Sequence, residues 1–329
     1  MFAAVIFYSV FGGADFGSGV WDLTAGDAKK GARTRRLIDH AIGPVWEANH
    51  VWLIFVLVFL WTGFPAAFVA IMNTLAIPFW LAGLGIVARG SGFAFRKFAP
   101  SFRWAQSAGV IFAAASLATP FFLGTIAGSI ASGRVPADGD AGLWSPWLNP
   151  TSILGGVLAV ATCTYLAGVL LAADAAKLGA EDLAAELRAK VFVGGAVTGL
   201  IVLAGIPVLI VDDRALAVDL LGRALPFVIG SALAGTLTMW QLWHSNYRPA
   251  RFSAAVAVAL VVTAWGVAQY PWIIRDEFSI DAAAGASASQ VGLLVATGLT
   301  ALLVMPPLIY LLRLADSNQV GTLGKPDAI

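Results

Sequence analysis

Long apolar runs, separated by short polar segments, dominate the chain. Nine of them are about 20 residues long, which is the length that an α-helix needs to cross the hydrocarbon core of a bilayer. The pattern therefore predicts membrane-spanning helices near residues 1–21, 44–64, 67–88, 106–131, 152–172, 191–211, 224–243, 252–270 and 289–312. No connection between them is long enough for an additional soluble domain. We expect a single polytopic, all-α membrane domain over residues 1–329.

The second and third runs should form a tight helical hairpin. Only Gly63, Phe64 and Pro65 separate them, and glycine close to proline ends helices and favours turns. The first run contains four glycines, at positions 12, 13, 17 and 19, which make its exact end harder to define.

Composition supports lipid as the solvent. Of 329 residues, 59% are hydrophobic and 12% are charged, whereas a soluble domain carries about 25% charged residues. The formal net charge of +1 argues against a nucleic-acid-binding face. A single cysteine, Cys163, excludes a disulfide framework or a cysteine metal site within one chain. The N-terminus lacks the basic flank of a signal peptide, so we expect the first run to be retained.

The basic residues predict the orientation. When the connections are assigned alternately to two sides, 16 of the 20 Lys and Arg residues fall on one side and four on the other. Basic residues favour the cytoplasmic side of a membrane. The sequence therefore predicts nine helices with the N-terminus outside and the C-terminus in the cytoplasm.

Three ionisable residues occur near the cytoplasmic ends of the first two helices. At 1.5 Å per residue, Glu47 lies about 5 Å inside that end, and Asp15 and His50 about 9 Å. Asn49 adds a neutral donor and acceptor beside them. Acids inside a membrane usually face a bundle interior and mark ion or proton pathways. We therefore expect the side chains of Asp15, Glu47 and His50 to converge within about 10 Å as a proton path.

A simpler interpretation exists for some of these positions. A glutamate in the first turn of a helix is stabilised by the helix dipole, so Glu47 alone does not require a functional role. The tryptophans nearby, Trp21, Trp46 and Trp52, are also typical of interfacial anchors. Asp15 has no such explanation, because it lies among phenylalanines and glycines.

Several motifs resemble those of one family. GGADFGSG at 12–19 and GPVWEANHVW at 43–52 resemble two elements of subunit II of the cytochrome bd-type quinol oxidases. RGSGFAFR at 89–96 is similar to the arginine-flanked segment of that family. QYPWII at 269–274 and SIDAA at 279–283 resemble the element before its last helix. Besides Asp15, Glu47 and Asn49, the residues that carry this resemblance are Gly13, Gly17, Trp46, Trp52, Arg89, Arg96, Tyr270, Pro271, Asp281, Pro306, Pro307 and Tyr310.

The resemblance implies a fold and a partnership. Family members consist of two four-helix bundles and one further helix in the bacterial cytoplasmic membrane. They assemble with a haem-bearing subunit I, which carries haems b and d, oxidises quinol and reduces dioxygen with cytoplasmic protons. Asp15 falls on the first-helix aspartate of the family, and Glu47 on the second-helix aspartate of its proton path. A structural quinone, lipid and a small single-helix accessory subunit are further candidate partners, and no metal is implied in this chain.

The sequence departs from the family pattern at four positions. Glu47 replaces aspartate, Ala48 replaces glycine, and His50 replaces glutamate or glutamine. Ala94 replaces the acid of the arginine-flanked segment and carries no proton. Our hypothesis is that His50, whose reference pKa lies near 6.5, supplies the missing protonatable group.

The sequence also bears on haem binding, on the role of the basic residues after the third run and on an alternative function. The histidines His40, His50 and His244 lack the paired spacing of a haem-binding bundle, so we expect no haem in this chain. Arg89, Arg96 and Lys97 either neutralise a carboxylate or a lipid head group or, as we favour, anchor the chain by the positive-inside rule. The alternative function is a free-standing proton-coupled transporter, which would also carry buried acids and glycine-interrupted helices.

Overall fold

The computed structural model describes residues 1–27, 30–42, 46–97, 102–303, 306–307 and 310. Within these ranges, the side chains of residues 42, 46–48, 97 and 102 lie outside the description. The described chain contains α-helices, one π-helical turn and a two-stranded antiparallel sheet.

The first eight elements in chain order are α1 (Phe2–Phe7), the π-helical turn (Tyr8–Gly12), α2 (Gly13–Leu23), α3 (Ala32–Ile42), α4 (Trp46–Gly63), α5 (Pro65–Thr74), α6 (Ala76–Lys97) and α7 (Phe102–Ala131). The remaining elements are α8 (Pro150–Lys177), α9 (Glu181–Asp212), α10 (Arg214–Leu221), α11 (Leu225–Trp243), α12 (Tyr247–Gln269), β1 (Trp272–Ile274), β2 (Phe278–Ser279), α13 (Ile280–Ala283) and α14 (Ser287–Leu303).

The prediction of a helical membrane protein is confirmed. In the part of the chain that the structure describes, seven helices are long and apolar enough to cross a membrane, or eight if α4 and α5 count as one bent span. The first of the seven, Phe2–Leu23, joins α1, the π-helical turn and α2. Helix α14 covers the first part of the run predicted at 289–312, and most of the remainder lies outside the described residues.

The predicted helix at 67–88 was wrong. The chain turns by 120° between α4 and α5, as Gly63 and Pro65 suggested, but α5 ends after ten residues at Thr74. A new helix, α6, begins at Ala76 and continues to Lys97. Asn73 and Thr74 precede Leu75 and Pro78 follows it, but the long apolar stretches on both sides of this short segment led to the prediction of one continuous span. The predicted connection 89–105 was therefore wrong as well, and the charged segment 89–96 is helical.

Helix α5 lies at the end of the molecule where the loop 132–149 and the β-hairpin also lie. Ala67, Ala70 and Ile71 of α5 belong to one buried cluster together with Val135, Trp147 and Ile274. This cluster covers the ends of α4 and α7. The short helix is consequently part of an end cap, and α6 provides the following long span.

Some helices extend beyond the apolar runs. Helix α9 begins at Glu181 instead of near 191, and α8 continues to Lys177 instead of ending near 172. The additional turns are polar and project past the apolar stretch, where hydropathy does not detect them. The amphipathic helix α3 was missed for the same reason, since its 11 residues contain three arginines.

Helix α8 is the centre of the packing, with contacts to α2, α7, α9 and α12. Gly17 permits the close approach of α2, because a Cβ atom at this position would overlap the carbonyl of Cys163 on α8. Gly19 has the same function toward α7, where a Cβ atom would overlap Ser116. The glycines of the first span therefore bring its polar segment into contact with two neighbouring helices.

Ion pairs tie the helices together at both ends. At one end they join α3 to α9, and α12 to α8; at the other they join the loop after α7 to the end of α9, and the hairpin to α10. The pairs are Arg33–Asp182 and Arg251–Asp174 at the first end, and Arg134–Asp212 and Arg275–Asp219 at the second. If successive spans cross the membrane in alternating directions, the two segments that each pair joins lie on the same side of the membrane.

Candidate functional site

A buried ion pair joins the first span to α6. The guanidinium of Arg89 donates through Nη2 to Oδ1 of Asp15 at 2.6 Å and to the carbonyl of the same residue at 3.1 Å. Only 3% of Asp15 and 1% of Arg89 is exposed. A charge transferred out of water is costly unless it is paired and hydrogen-bonded, and these two residues meet that condition for each other.

The surroundings of Arg89 complete its neutralisation. Nε donates to the hydroxyl of Ser116 on α7 at 3.0 Å. The guanidinium carbon lies 5.2 Å from the ring centre of Phe16 and 4.9 Å from that of Phe112. Both rings are therefore placed for cation–π attraction, which is strongest where water is excluded.

A second acid–arginine pair repeats the first toward the end of α2. Asp22 accepts a hydrogen bond from Arg96, which also donates to Asp39 on α3, and from Nε of Arg35 at 2.8 Å. Asp22 follows Asp15 by seven residues, as Arg96 follows Arg89. Seven residues are two helical turns, so each helix presents its two groups on one face about 10.5 Å apart.

We call Asp15, Asp22, Arg89 and Arg96 the charge ladder. The pairs Asp15–Arg89 and Asp22–Arg96 occur in the same order along both helices, so α2 and α6 run parallel to each other. Helix α7 packs against both of them, and its Phe112 ring lies between the two arginines, 5.0 Å from the guanidinium carbon of Arg96. The ladder thus holds α2 and α6 in register across α7.

The preferred interpretation of the arginines was wrong. Arg89 and Arg96 do not simply anchor a cytoplasmic loop, because both neutralise carboxylates and Arg89 is buried within its helix. The side chain of Lys97 lies outside the described residues. The matching seven-residue spacing of the acids and the arginines was the signal in the sequence that pointed to this pairing.

Helix α4 contributes Asn49 and His50 to the same place. Nδ2 of Asn49 donates to the carbonyl of Phe11 at 3.2 Å, and the amide lies close to the Asp15 side chain without forming a hydrogen bond to its Oδ2. The His50 ring packs against Phe16, with 5.8 Å between ring centres. Asp15, Asn49 and His50 are therefore brought together around Phe16.

The predicted convergence of three ionisable groups remains partly a prediction. Glu47 belongs to the first turn of α4, but its side chain and that of Trp46 lie outside the described residues. Trp52 packs on Phe7, with 4.8 Å between ring centres, and so fixes α4 against α1.

Position 94 faces away from the Asp15–Arg89 pair. Ala94 is exposed, whereas Arg89 on the same helix is buried. An acid at position 94 would therefore project from the outer face of α6 and would not approach Asp15 within this chain.

The other motif residues have structural surroundings. Gly13 lies opposite the Cys163 thiol, where a Cβ atom would be 3.5 Å from Sγ. Tyr270 is largely exposed, and the carbonyl of Pro271 accepts a hydrogen bond from the amide of Ile280 at 2.9 Å. Asp281 is exposed in the first turn of α13, which is capped instead by Ser279.

Sequence reasoning missed Tyr8 as well as the charge ladder. Its ring centre lies 6.2 Å from that of His50 and 6.3 Å from that of Phe16, and its hydroxyl is buried. Tyr8 opens the π-helical turn, and single π turns inside α-helices are frequent at functional sites. It precedes Asp15 by seven residues, the spacing that also relates the ladder groups.

The candidate site contains titratable groups but no recognisable metal cluster. Among the described residues, no group of three His, Cys, Asp or Glu side chains has the arrangement to hold a metal ion. His244 follows α11 and packs on Trp240, with ring centres 4.6 Å apart. The titratable side chains around Asp15 can exchange protons.

Comparisons with known proteins agree with the motif resemblance. The model of a family described as cytochrome bd terminal oxidase subunit II matches residues 1–315. Subunit 2 of the cytochrome bd ubiquinol oxidase of Bacillus subtilis (strain 168) is 32% identical over 165 residues, which cover 49% of this chain and 48% of that relative. The match thus spans about half the length of the curated relative. The solved bd oxidase from Geobacillus thermodenitrificans has the same fold, with a TM-score of 0.78 and 22% identity over 95% of each chain.

We predict that Arg89→Met destabilises the protein strongly, because it leaves the Asp15 carboxylate buried without a counter-charge. Breaking one side of a buried pair costs about 3–5 kcal/mol. The thermal midpoint of the detergent-solubilised protein should fall by several degrees, and Asp15→Asn combined with Arg89→Met should recover much of the loss.

Arg33→Met is the matched control. Arg33 pairs with Asp182 at the surface, and this hydrogen bond raises the pKa of the guanidinium. Exposed pairs contribute at most about 1 kcal/mol, so the control should leave the thermal midpoint nearly unchanged. Equal midpoints for the Arg89 and Arg33 variants would show that the buried pair does not stabilise the fold.

Proposed function

Because the chain belongs to the cytochrome bd terminal oxidase subunit II family, we propose that it is the haem-free subunit of a respiratory quinol:oxygen oxidoreductase. Its partner is a haem-bearing subunit I, on which quinol is oxidised and dioxygen is reduced to water. Haems b and d belong to that partner. A structural quinone and a small single-helix accessory subunit are further partners that this function accommodates. The complex lies in a bacterial cytoplasmic membrane.

The proposed topology has nine spans, arranged as two four-helix bundles and one peripheral helix. They are Phe2–Leu23, α4, α6, α7, α8, α9, α11, α12 and α14, with α5 at the outer surface. The N-terminus is outside and the C-terminus is cytoplasmic. The bias of basic residues supports this orientation, although Arg89 belongs to a buried pair and no longer counts toward it.

The proposed contribution of this chain to turnover is a proton path from the cytoplasm toward subunit I. The observation that carries the proposal is the buried Asp15 carboxylate, of which only Oδ1 is bound to Arg89. Protons enter at the cytoplasmic ends of α2 and α4, where Asp22 and Glu47 lie, and reach Asp15 and His50. Arg89 fixes the carboxylate in place and keeps other cations out by its charge.

His50 takes the role of the acid that position 94 lacks. The family acid at that position corresponds here to Ala94, on the outer face of α6, whereas His50 packs on Phe16 beside Asp15. An imidazole exchanges protons near neutral pH when its surroundings permit. The proposed path therefore runs between α2 and α4, inside the helical domain.

The alternative function is a free-standing proton-coupled transporter. Transporters coordinate substrate near the middle of the membrane with polar groups on paired interrupted helices. In this chain Asp15, His50 and Arg89 meet partway along the spans, but α4 and α6, which carry two of them, are both continuous helices. The segments 153–172 and 252–268 contain no charged residue. These features favour the oxidase subunit.

We predict that His50→Phe lowers proton uptake during turnover by about tenfold or more, since loss of a proton-transfer group commonly costs at least that much. The measurement uses the assembled oxidase at unchanged haem content. Asp15→Asn combined with Arg89→Met should have a similar effect without leaving a buried charge unpaired. His244→Phe is the control, because His244 lies at the end of α11 and not among these side chains. Wild-type proton uptake in both the His50 variant and the double variant would refute the proton path.

A second prediction concerns assembly. The chain purified from its native membrane in mild detergent should co-migrate with a larger, haem-rich subunit in native electrophoresis and gel filtration. Haem spectra across the elution profile provide the readout. A monodisperse, haem-free chain that transports a solute in liposomes would support the transporter and exclude the oxidase subunit.

A third prediction concerns orientation. In a Cys163→Ala background, Ser145→Cys should react with a membrane-impermeant maleimide added to intact spheroplasts, and Glu181→Cys only after permeabilisation. Both native residues are exposed, Ser145 in the loop before α8 and Glu181 at the start of α9. The opposite labelling pattern would invert the proposed topology.

A further inference from the structure

We propose that Tyr8 is a positioning residue of the proton path, and that its hydroxyl holds an enclosed water between His50 and Asp15. The inference rests on the proposed function and adds a residue and a ligand to it. The ligand is water, bound by Oη of Tyr8, Oδ2 of Asp15 and Nδ1 of His50.

The hydrogen bonding of these three atoms is incomplete within the described protein. Each of these three side-chain atoms is buried and has no hydrogen-bond partner among the described protein atoms. Buried polar groups in proteins nearly always have a partner, either in the protein or an ordered water. Three such atoms, two on the span Phe2–Leu23 and one on α4, therefore indicate a site that binds water.

Tyr8 and His50 lie close to each other and to the residue that follows Asp15. The rings of Tyr8, Phe16 and His50 form a triangle with centre-to-centre distances of 6.3, 6.2 and 5.8 Å. Phe16 follows Asp15 in the chain and lies under the Arg89 guanidinium at 5.2 Å. Tyr8 interacts electrostatically with Asp15 and Arg89, and His50 with Arg89. Tyr8 and His50 thus lie beside the Asp15–Arg89 ion pair, on the side where Phe16 packs.

The local backbone provides space for the Tyr8 ring. The turn Tyr8–Gly12 is π-helical, which widens the helix just before the acid. A Cβ atom at Gly12 would lie 3.0 Å from Cε2 of Tyr8, closer than side chains normally pack. Glycine at this position therefore leaves room for the Tyr8 ring, which the path requires to point inward.

The proton balance of the step is simple. Protonated His50 gives the proton on Nδ1 to the water oxygen, and the water gives a different proton to Oδ2 of Asp15. One N–H bond and one water O–H bond break, and one water O–H bond and one carboxyl O–H bond form. The water is restored, and the Tyr8 hydroxyl donates a hydrogen bond to it throughout without losing its proton.

Tyr8→Phe in the assembled oxidase tests this inference. Removing the hydroxyl should slow proton uptake about threefold to tenfold, which corresponds to the loss of one hydrogen bond. Haem content and the thermal midpoint should remain those of the wild type. The solvent deuterium isotope effect on turnover should rise, because proton transfer through the water becomes more rate-limiting.

Tyr165→Phe is the matched control. Its hydroxyl is also buried and without a hydrogen-bond partner among the described atoms, but it lies in the core cluster beside α9 and α11. This variant should retain the proton uptake and the isotope effect of the wild type. If Tyr8→Phe behaves like the control, the inference is wrong.

Two further outcomes separate this inference from the function on which it rests. If His50→Phe slows proton uptake and Tyr8→Phe does not, only the role of Tyr8 fails. If neither slows it and the double variant Asp15→Asn, Arg89→Met also behaves as the wild type, the proton path fails. Should Tyr8→Phe reduce haem content, Gly12→Ala replaces it, because the added methyl group displaces the ring and keeps the hydroxyl. Wild-type proton uptake in Gly12→Ala would then overturn the inference.

Discussion

The pairing of Asp15 with Arg89 constrains much of the surrounding structure. Neither charge is tolerated in a membrane interior alone, so the helices that carry them must be aligned closely enough for direct hydrogen bonds. The alignment requires α6 to remain helical through its glycine-rich and charged end. It also requires α7 to offer a hydroxyl and an aromatic face, which Ser116 and Phe112 provide. The register of α2 and α6 and the packing of α7 thus follow from one desolvated ion pair.

Much of the fold was predictable from the sequence, and the exceptions have a physical cause. The lengths of the apolar runs located most of the spans, because hydrocarbon thickness fixes helix length. The break at Leu75 is marked only by Asn73, Thr74 and Pro78, which do not lower the mean hydropathy of a membrane-length segment enough to divide it. Arg89 was assigned to a loop because hydropathy and the positive-inside rule consider each charge alone. A charge that is neutralised by a distant residue is indistinguishable from a solvated one in such a count.

The candidate site was predictable to a similar extent. Asp15 and His50 were identified from the cost of placing ionisable groups near hydrocarbon, and the structure packs His50 against Phe16, the residue that follows Asp15. Tyr8 was not identified, because a tyrosine in an apolar run is ordinary for a membrane helix. Its significance depends on the π-helical turn and on the room left by Gly12, and neither is visible in hydropathy. Glycines that weaken a helix in isolation here determine which side chains meet.

The ion pair raises a question about any proton path through it, since a carboxylate held by an arginine is a poor proton acceptor. The two oxygens of Asp15 resolve this conflict, because they have different surroundings. Oδ1 binds Arg89, whereas Oδ2 has no hydrogen-bond partner among the described residues. The first oxygen fixes the helices, and the second remains available to accept a proton without breaking the hydrogen bond between Arg89 and Oδ1. Protonation would weaken the charge attraction but leave Arg89 bound to the Asp15 carbonyl and Ser116. One residue can therefore stabilise the fold and take part in proton transfer.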